Sequence, residues 1–225
     1  LMIGVTCPTL RPMSSQETTQ KQTPRWRYVV PNAITCCGLL IGLTACFRAI
    51  DGGQVDDYVD SAWLIVLCVL LDKLDGTAAR LFKATSKIGL QLDSFSDFVT
   101  FGIAPATLVY TMISRDPTMF GAWHGPWSMW MLKGVTAVYV LCACIRLAKF
   151  NVLPEDAGGG KFFWGVPTTL AGGLMATLVL LAYKYEMAHT IIWLPWVAMV
   201  LGLMMVSSLP LPKIAKHESR PLNIM

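Results

Sequence analysis

Six apolar runs follow one another along this chain, each near the length that crosses a lipid bilayer. A spanning helix needs about 20 mostly apolar residues, and the runs cover roughly 31–47, 59–81, 95–113, 133–147, 167–183 and 191–209. No long polar stretch separates them, so they read as one domain of six transmembrane helices. Composition agrees: 54% of the residues are hydrophobic and 14% charged, where a soluble domain carries about 25% charged residues. The expected fold is an all-α membrane protein.

The ends of the chain differ from its middle. Residues 1–30 are polar and mixed, as in MSSQETTQKQTPRWR from Met13 to Arg27. They lack the basic start, apolar centre and small-residue site of a cleaved signal peptide. They are expected to form a loosely surface-bound or disordered cytoplasmic segment, in which the natural start falls near Met13. Residues 31–210 make the helical domain and 211–225 a cytoplasmic tail.

Basic residues set the orientation, because cytoplasmic loops of membrane proteins carry an excess of lysine and arginine. Fourteen of the 18 fall on one side. They are Arg11, Lys21, Arg25 and Arg27 before the first helix; Lys73, Arg80, Lys83 and Lys87 around the second connection; Arg146, Lys149 and Lys161 around the fourth; and Lys213, Lys216 and Arg220 in the tail. The other side has Arg48, Arg115, Lys133 and Lys184, with the acidic run Asp51, Asp56, Asp57 and Asp60. Both termini are expected in the cytoplasm, as an even helix count requires. The eight tryptophans fall near the ends of the predicted helices and read as an interfacial belt. The seven cysteines show no metal-ligand spacing and read as small apolar packing residues.

One stretch breaks the apolar pattern. The second run ends in LDKLDGTAARLF (71–82), and a short link leads to GLQLDSFSDFVTFG (89–102). Asp72 and Asp75 are three apart and share a helix face, as do Asp93 and Asp97, four apart, with Gly89 one turn earlier. A short connection makes the two helices antiparallel neighbours, so four carboxylates meet just inside the membrane near its cytoplasmic boundary. Ionisable groups at that depth are costly and mark function. Four carboxylates this close repel one another, and the hard oxygen ligands suit Mg2+ or Mn2+. Two such ions about 4 Å apart clamp both sides of a phosphoryl displacement. Gly76, Ala78 and Ala79 leave room for a bulky ligand, and Arg80 offers a cation suited to phosphate oxygens. The bland alternative pairs the aspartates with Lys73, Arg80, Lys83 and Lys87 in a solvated loop.

The pattern Asp72-x-x-Asp75-Gly76-x-x-Ala79-Arg80, eight residues, Gly89-x-x-x-Asp93-x-x-x-Asp97 resembles the complete signature of the CDP-alcohol phosphotransferases, gap length included. The resemblance extends to Pro31-Asn32 at the start of the first helix and to FGIAPATLVY (101–110). Arg146-Leu-Ala-Lys-Phe-Asn151 and Phe162-Phe-Trp-Gly-Val-Pro167 are similar to the phosphatidylserine synthase branch.

This resemblance implies a membrane enzyme that moves a phosphatidyl group from CDP-diacylglycerol to an alcohol, serine in this branch, and works as a homodimer. It implies that Asp72, Asp75 and Asp93 bind two metal ions with Asp97 near them, and that Asp97 is the general base. Asn32, Asp72, Gly76, Ala79 and Arg80 would hold the donor. For serine, whose carboxylate needs a cation, Arg146 and Asn151 are favoured over Lys83 and Lys87; Arg146 and Lys149 read equally as positive-inside anchors. Ser94 and Ser96 flank the aspartates and read as packing residues. No Ser, Cys or His stands as a nucleophile beside a base, so no covalent enzyme intermediate is expected. The glycine-rich 156–161 loop reads as a linker, with closure over the site as its other reading. Gly172-Gly173 permits close helix packing, between chains or within one.

Two competing readings stay open. One is the same chemistry with glycerol phosphate, inositol phosphate or choline as acceptor. The other is a cation or proton transporter, which would more often show inverted repeats and carboxylates near the midplane.

Overall fold

The structure is a computed structural model that describes residues 26–82, 87–117, 120–152, 162–207 and 210–212. Its helices are α1 (Trp26–Asp51), α2 (Val55–Phe82), α3 (Lys87–Asp97), α4 (Ala104–Arg115), α5 (Pro126–Val152), α6 (Thr168–Lys184) and α7 (Leu194–Val206). A π-helical turn, Phe98–Ile103, joins α3 to α4 as one rod, and a 3₁₀ segment, Ala188–Trp193, leads into α7. Six rods therefore stand where six apolar runs are predicted. Four are long and apolar enough to cross a membrane: Val29–Asp51, Ile88–Arg115, Pro126–Val152 and His189–Val206. Helix α6 is apolar but shorter, and α2, at 28 residues, is long enough but carries charges toward both ends. The chain is an all-α membrane protein, with one addition. Strand β1 (Phe162–Trp164) pairs antiparallel with β2 (Pro210–Pro212), Phe163 opposite Leu211.

The rods outrun the apolar runs. Helix α1 starts at Trp26, inside the segment expected to be irregular, and α5 starts at Pro126 instead of near residue 133. Hydropathy ends where lipid ends, whereas the backbone hydrogen-bond ladder continues into the interface.

Antiparallel alternation places Arg48, Arg115, Lys133 and Lys184 at one end of the bundle, as the charge pattern requires. There Arg48 pairs with Asp57 at 3.3 Å and Asp60 at 4.0 Å. The Arg115 guanidinium donates to the main-chain carbonyls of Gly52 and Ile50, tying α4 to the α1–α2 turn. The tryptophan belt needs one correction. Trp127, Trp130, Trp193 and Trp196 are exposed, but Trp123 is buried. Its indole N–H donates to the Ile192 carbonyl at 3.0 Å, and its ring stands 5.9 Å from that of Trp196. Trp63 lies well inside α2 and faces outward. The six described cysteines are free; Cys46, Cys68 and Cys142 are buried in packing, whereas Cys36, Cys37 and Cys144 are exposed.

The core gathers around the π turn. Pro105 has no N–H, so it cannot complete the α-helical bond to the Phe101 carbonyl four residues earlier. The ladder shifts by one residue, and the Ala104 N–H reaches the Val99 carbonyl. The Phe101 carbonyl accepts the buried Tyr139 hydroxyl from α5 at 2.8 Å. Two glycines press on the same turn. A Cβ on Gly42 of α1 would lie 2.3 Å from Thr100 Cγ2, and one on Gly172 of α6 would lie 2.8 Å from Phe101 Cα. A Cβ on Gly173 would meet Val69 of α2 at 3.0 Å. Close packing within one chain therefore accounts for the Gly172-Gly173 pair.

Candidate active site

Helix α2 carries Asp72 and Asp75 toward its C-terminal end, and α3 carries Asp93 and Asp97. Packing of α1 against both brings the two helices together at this end. One oxygen from each of Asp72, Asp75 and Asp93 lies within 4.8 Å of the other two. Asp97 stands beside this trio, its carboxyl within hydrogen-bonding reach of that of Asp72. Asp72, Asp75 and Asp97 line a narrow cavity of ≈ 10 Å³ together with Gly38, Cys68, Ser96 and Thr100, room for about one water-sized occupant.

The donor set decides what this group can hold. Three carboxylates, with no imidazole or thiolate among them, are hard anionic oxygen ligands that fit a divalent cation such as Mg2+ or Mn2+. The Asp72, Asp75 and Asp93 cluster can bind such an ion. Cys68 lines the cavity but directs its Sγ–H to the Gly38 carbonyl at 3.5 Å, so it acts as a packing group between α1 and α2.

Neutral residues hold the carboxylates in place. The Thr35 hydroxyl lies 3.1 Å from Asp75 Oδ2, and the Ser96 hydroxyl donates to the Thr35 carbonyl at 3.3 Å. Ser94 reaches α5: Asn151 Nδ2 donates to Ser94 Oγ at 2.9 Å. Ser94 and Ser96, expected to be plain packing residues, thus tie α3 to α5 and α1. The available signal is their position, since 94 and 96 lie between Asp93 and Asp97 and face the neighbouring helices α5 and α1.

Other expected site residues divide into three groups. Asn32 is half-buried on α1, one turn before Thr35, and the space where a Gly76 side chain would project is open for 4 Å. Asn151 and the half-buried Arg146 stand on α5, and Asn151 is joined to the carboxylate helix through Ser94. The side chains of Ala79, Arg80 and Lys87, all of Lys83, and the 156–161 loop lie outside the described residues. Lys149 directs its Nζ to the Val206 carbonyl at 3.5 Å, at the C-terminal end of α7. That favours an anchoring role for this lysine. The Phe162-Phe-Trp-Gly-Val-Pro167 stretch has a backbone reason for its glycine. Gly165 has φ +75°, and a Cβ there would meet the Met205 carbonyl at 2.6 Å.

Two carboxylate pairs on antiparallel helices, at this spacing and on one side of the bundle, are what the family signature requires, and the family model for CDP-alcohol phosphatidyltransferase matches residues 28–204. The chain belongs to this family. It is therefore a transferase, which sets aside the transporter alternative. The chain is 31% identical to the CDP-diacylglycerol–serine O-phosphatidyltransferase of Helicobacter pylori over 192 residues, covering 84% of this chain and 74% of that protein. It is 31% identical to the enzyme of the same name from Bacillus subtilis over 194 residues, covering 86% and 95%. It is also 33% identical to the archaetidylserine synthase of Methanothermobacter thermautotrophicus over 190 residues, covering 82% and 70%.

Proposed function

We propose that the chain transfers the phosphatidyl group of CDP-diacylglycerol to the hydroxyl of L-serine, yielding phosphatidylserine and CMP. The observation that carries this reading is the meeting of Asp72, Asp75 and Asp93 within 4.8 Å, with Asp97 beside them. The choice of serine is supported by the relatives' names. Between the bacterial and archaeal proteins the lipid word changes, while serine stays.

In this mechanism Asp72, Asp75 and Asp93 would hold two divalent ions, Mg2+ or Mn2+, and Asp97 lies beside these three carboxylates. When bound, these ions neutralise the charge of the donor's diphosphate and of the departing CMP. Asp97 takes the proton of the serine hydroxyl at a carboxylate oxygen. The serine oxygen forms its bond to the phosphorus that carries diacylglycerol. The bond from that phosphorus to the bridging oxygen breaks, and CMP departs with the electron pair. Asn32, Gly76, Ala79 and Arg80 cradle the donor, the open side of Gly76 giving its head group room. Arg146 and Asn151 hold serine, with Lys83 and Lys87 as further candidates for its carboxylate.

The donor's acyl chains stay in the bilayer while its head group enters from the cytoplasmic interface. That geometry fits six crossings, both termini in the cytoplasm and, by the company of its bacterial relatives, residence in a bacterial inner membrane. Assembly as a homodimer rests on the family resemblance.

The test is a one-pot competition. Purified protein in detergent receives CDP-diacylglycerol, Mn2+ and equal serine, glycerol phosphate, inositol phosphate and choline, and the lipid product is identified by mass. Phosphatidylserine as the main product is expected. A different phospholipid would keep the family chemistry and remove serine.

A further inference from the structure

Helix α1 brings no carboxylate to the site, yet one of its residues bonds both helices that carry the cluster. Thr35 is 6% exposed. Its hydroxyl oxygen lies 3.1 Å from Asp75 Oδ2 and 3.1 Å from the Pro31 carbonyl one turn back. Its main-chain carbonyl accepts the hydroxyl of Ser96, itself 7% exposed and placed on α3 between Asp93 and Asp97. With its side chain Thr35 bonds Asp75 of α2, and with its main chain Ser96 of α3, the helix that carries Asp93 and Asp97.

A threonine hydroxyl has one proton to give. Helical threonines commonly return it to the carbonyl four residues back, and Pro31 offers that acceptor here. Asp75 is the stronger competitor, because a hydrogen bond to an ionised carboxylate is roughly twice as strong as one between neutral groups. Donation to Oδ2 selects one orientation of the Asp75 carboxylate and leaves its remaining lone pairs for an ion. Ser96 meanwhile fixes how far α3 stands from the same α1 residue. No charge is added to the site, so this link adjusts geometry without competing for the ion.

We propose that Thr35 is a positioning residue for the metal-binding carboxylates, orienting Asp75 through its hydroxyl and spacing the α3 aspartates through Ser96. The inference rests on the metal-dependent reading of the site. Partners of this kind, one bond behind the ligands, typically contribute about 10- to 100-fold to metal affinity.

The experiment measures Mn2+ binding by the purified protein in detergent, without substrates, by the electron paramagnetic resonance of free Mn2+. Thr35→Val removes the hydroxyl at nearly constant volume and is expected to weaken binding about tenfold or more. Thr35→Ser, which keeps the hydroxyl, is expected to restore affinity to within about threefold of wild type, a rescue that loss of packing would not give. Ser96→Ala cuts the α3 side of the link without touching Asp75, and is expected to weaken binding as well; it carries the test if Thr35→Val does not fold. Wild-type affinity in both Thr35→Val and Ser96→Ala, with binding lost in Asp75→Asn, would overturn the role of Thr35 and leave the metal site standing. Absence of Mn2+ binding by the wild-type protein would overturn both.

Discussion

The hydroxyl of Tyr139 donates a 2.8 Å hydrogen bond to the main-chain carbonyl of Phe101, the carbonyl that Pro105 leaves without its α-helical partner. Tyr139 is fully buried, so no water can replace it. The π turn that it stabilises begins directly after Asp97, and turns of this kind recur at functional sites. Tyr139→Phe is expected to cost about 0.5–1.5 kcal/mol, the usual net worth of one intramolecular hydrogen bond. Chemical unfolding in mixed micelles measures it.

Gly42 of α1 and Gly172 of α6 both pack against the same turn. A methyl group at either position strikes Thr100 or Phe101 main-chain atoms within 3.1 Å, whereas at Gly134 it meets nothing within 4 Å. Gly172→Ala is therefore expected to destabilise the protein by about 1–3 kcal/mol, the usual range for overpacking, and to lower turnover. Gly134→Ala is expected to leave both near wild type. Thermal unfolding of the two variants side by side is the check.

Asp97 and Asp75 should fail differently. Asp97→Asn removes the proposed base and is expected to reduce kcat by about 10²- to 10⁴-fold, with donor binding largely retained. Asp75→Asn removes a proposed ion ligand and is expected to raise the Mn2+ concentration needed for half-maximal activity together with the loss of rate. A Mn2+ titration of turnover separates the two. Near-wild-type turnover of Asp97→Asn would remove it as the base.

Asn151 on α5 is joined to the carboxylate helix through Ser94 at 2.9 Å. If it holds serine, Asn151→Ala should raise KM for serine about tenfold, the equivalent of one hydrogen bond to a charged group, and change KM for CDP-diacylglycerol little. Equal effects on both constants would assign Asn151 to helix packing.

The aspartate spacing is legible in the sequence because helical periodicity places 72 with 75 and 93 with 97 on shared faces, and a short link brings the faces together. The apolar runs are legible because a bilayer sets their length. Thr35 is not, since a lone threonine in an apolar helix ordinarily bonds its own backbone, and the contact with Asp75 spans 40 positions. The π turn is hidden because hydropathy carries no mark of a one-residue shift in the ladder. Pro105, three residues after Gly102, is the available signal. Gly172 reads ambiguously, because a small residue in a membrane helix serves a neighbour in the same chain and a neighbour in another equally well.

CMP release from CDP-diacylglycerol by the purified protein, with one alcohol at a time and with Mn2+ or chelator, is the most direct measurement. Rapid release with serine, little with glycerol phosphate, inositol phosphate or choline, and none with chelator is the predicted result. Release that proceeds unchanged in chelator, or that serine does not stimulate, would contradict metal-dependent transfer to serine at the Asp72, Asp75, Asp93 and Asp97 cluster.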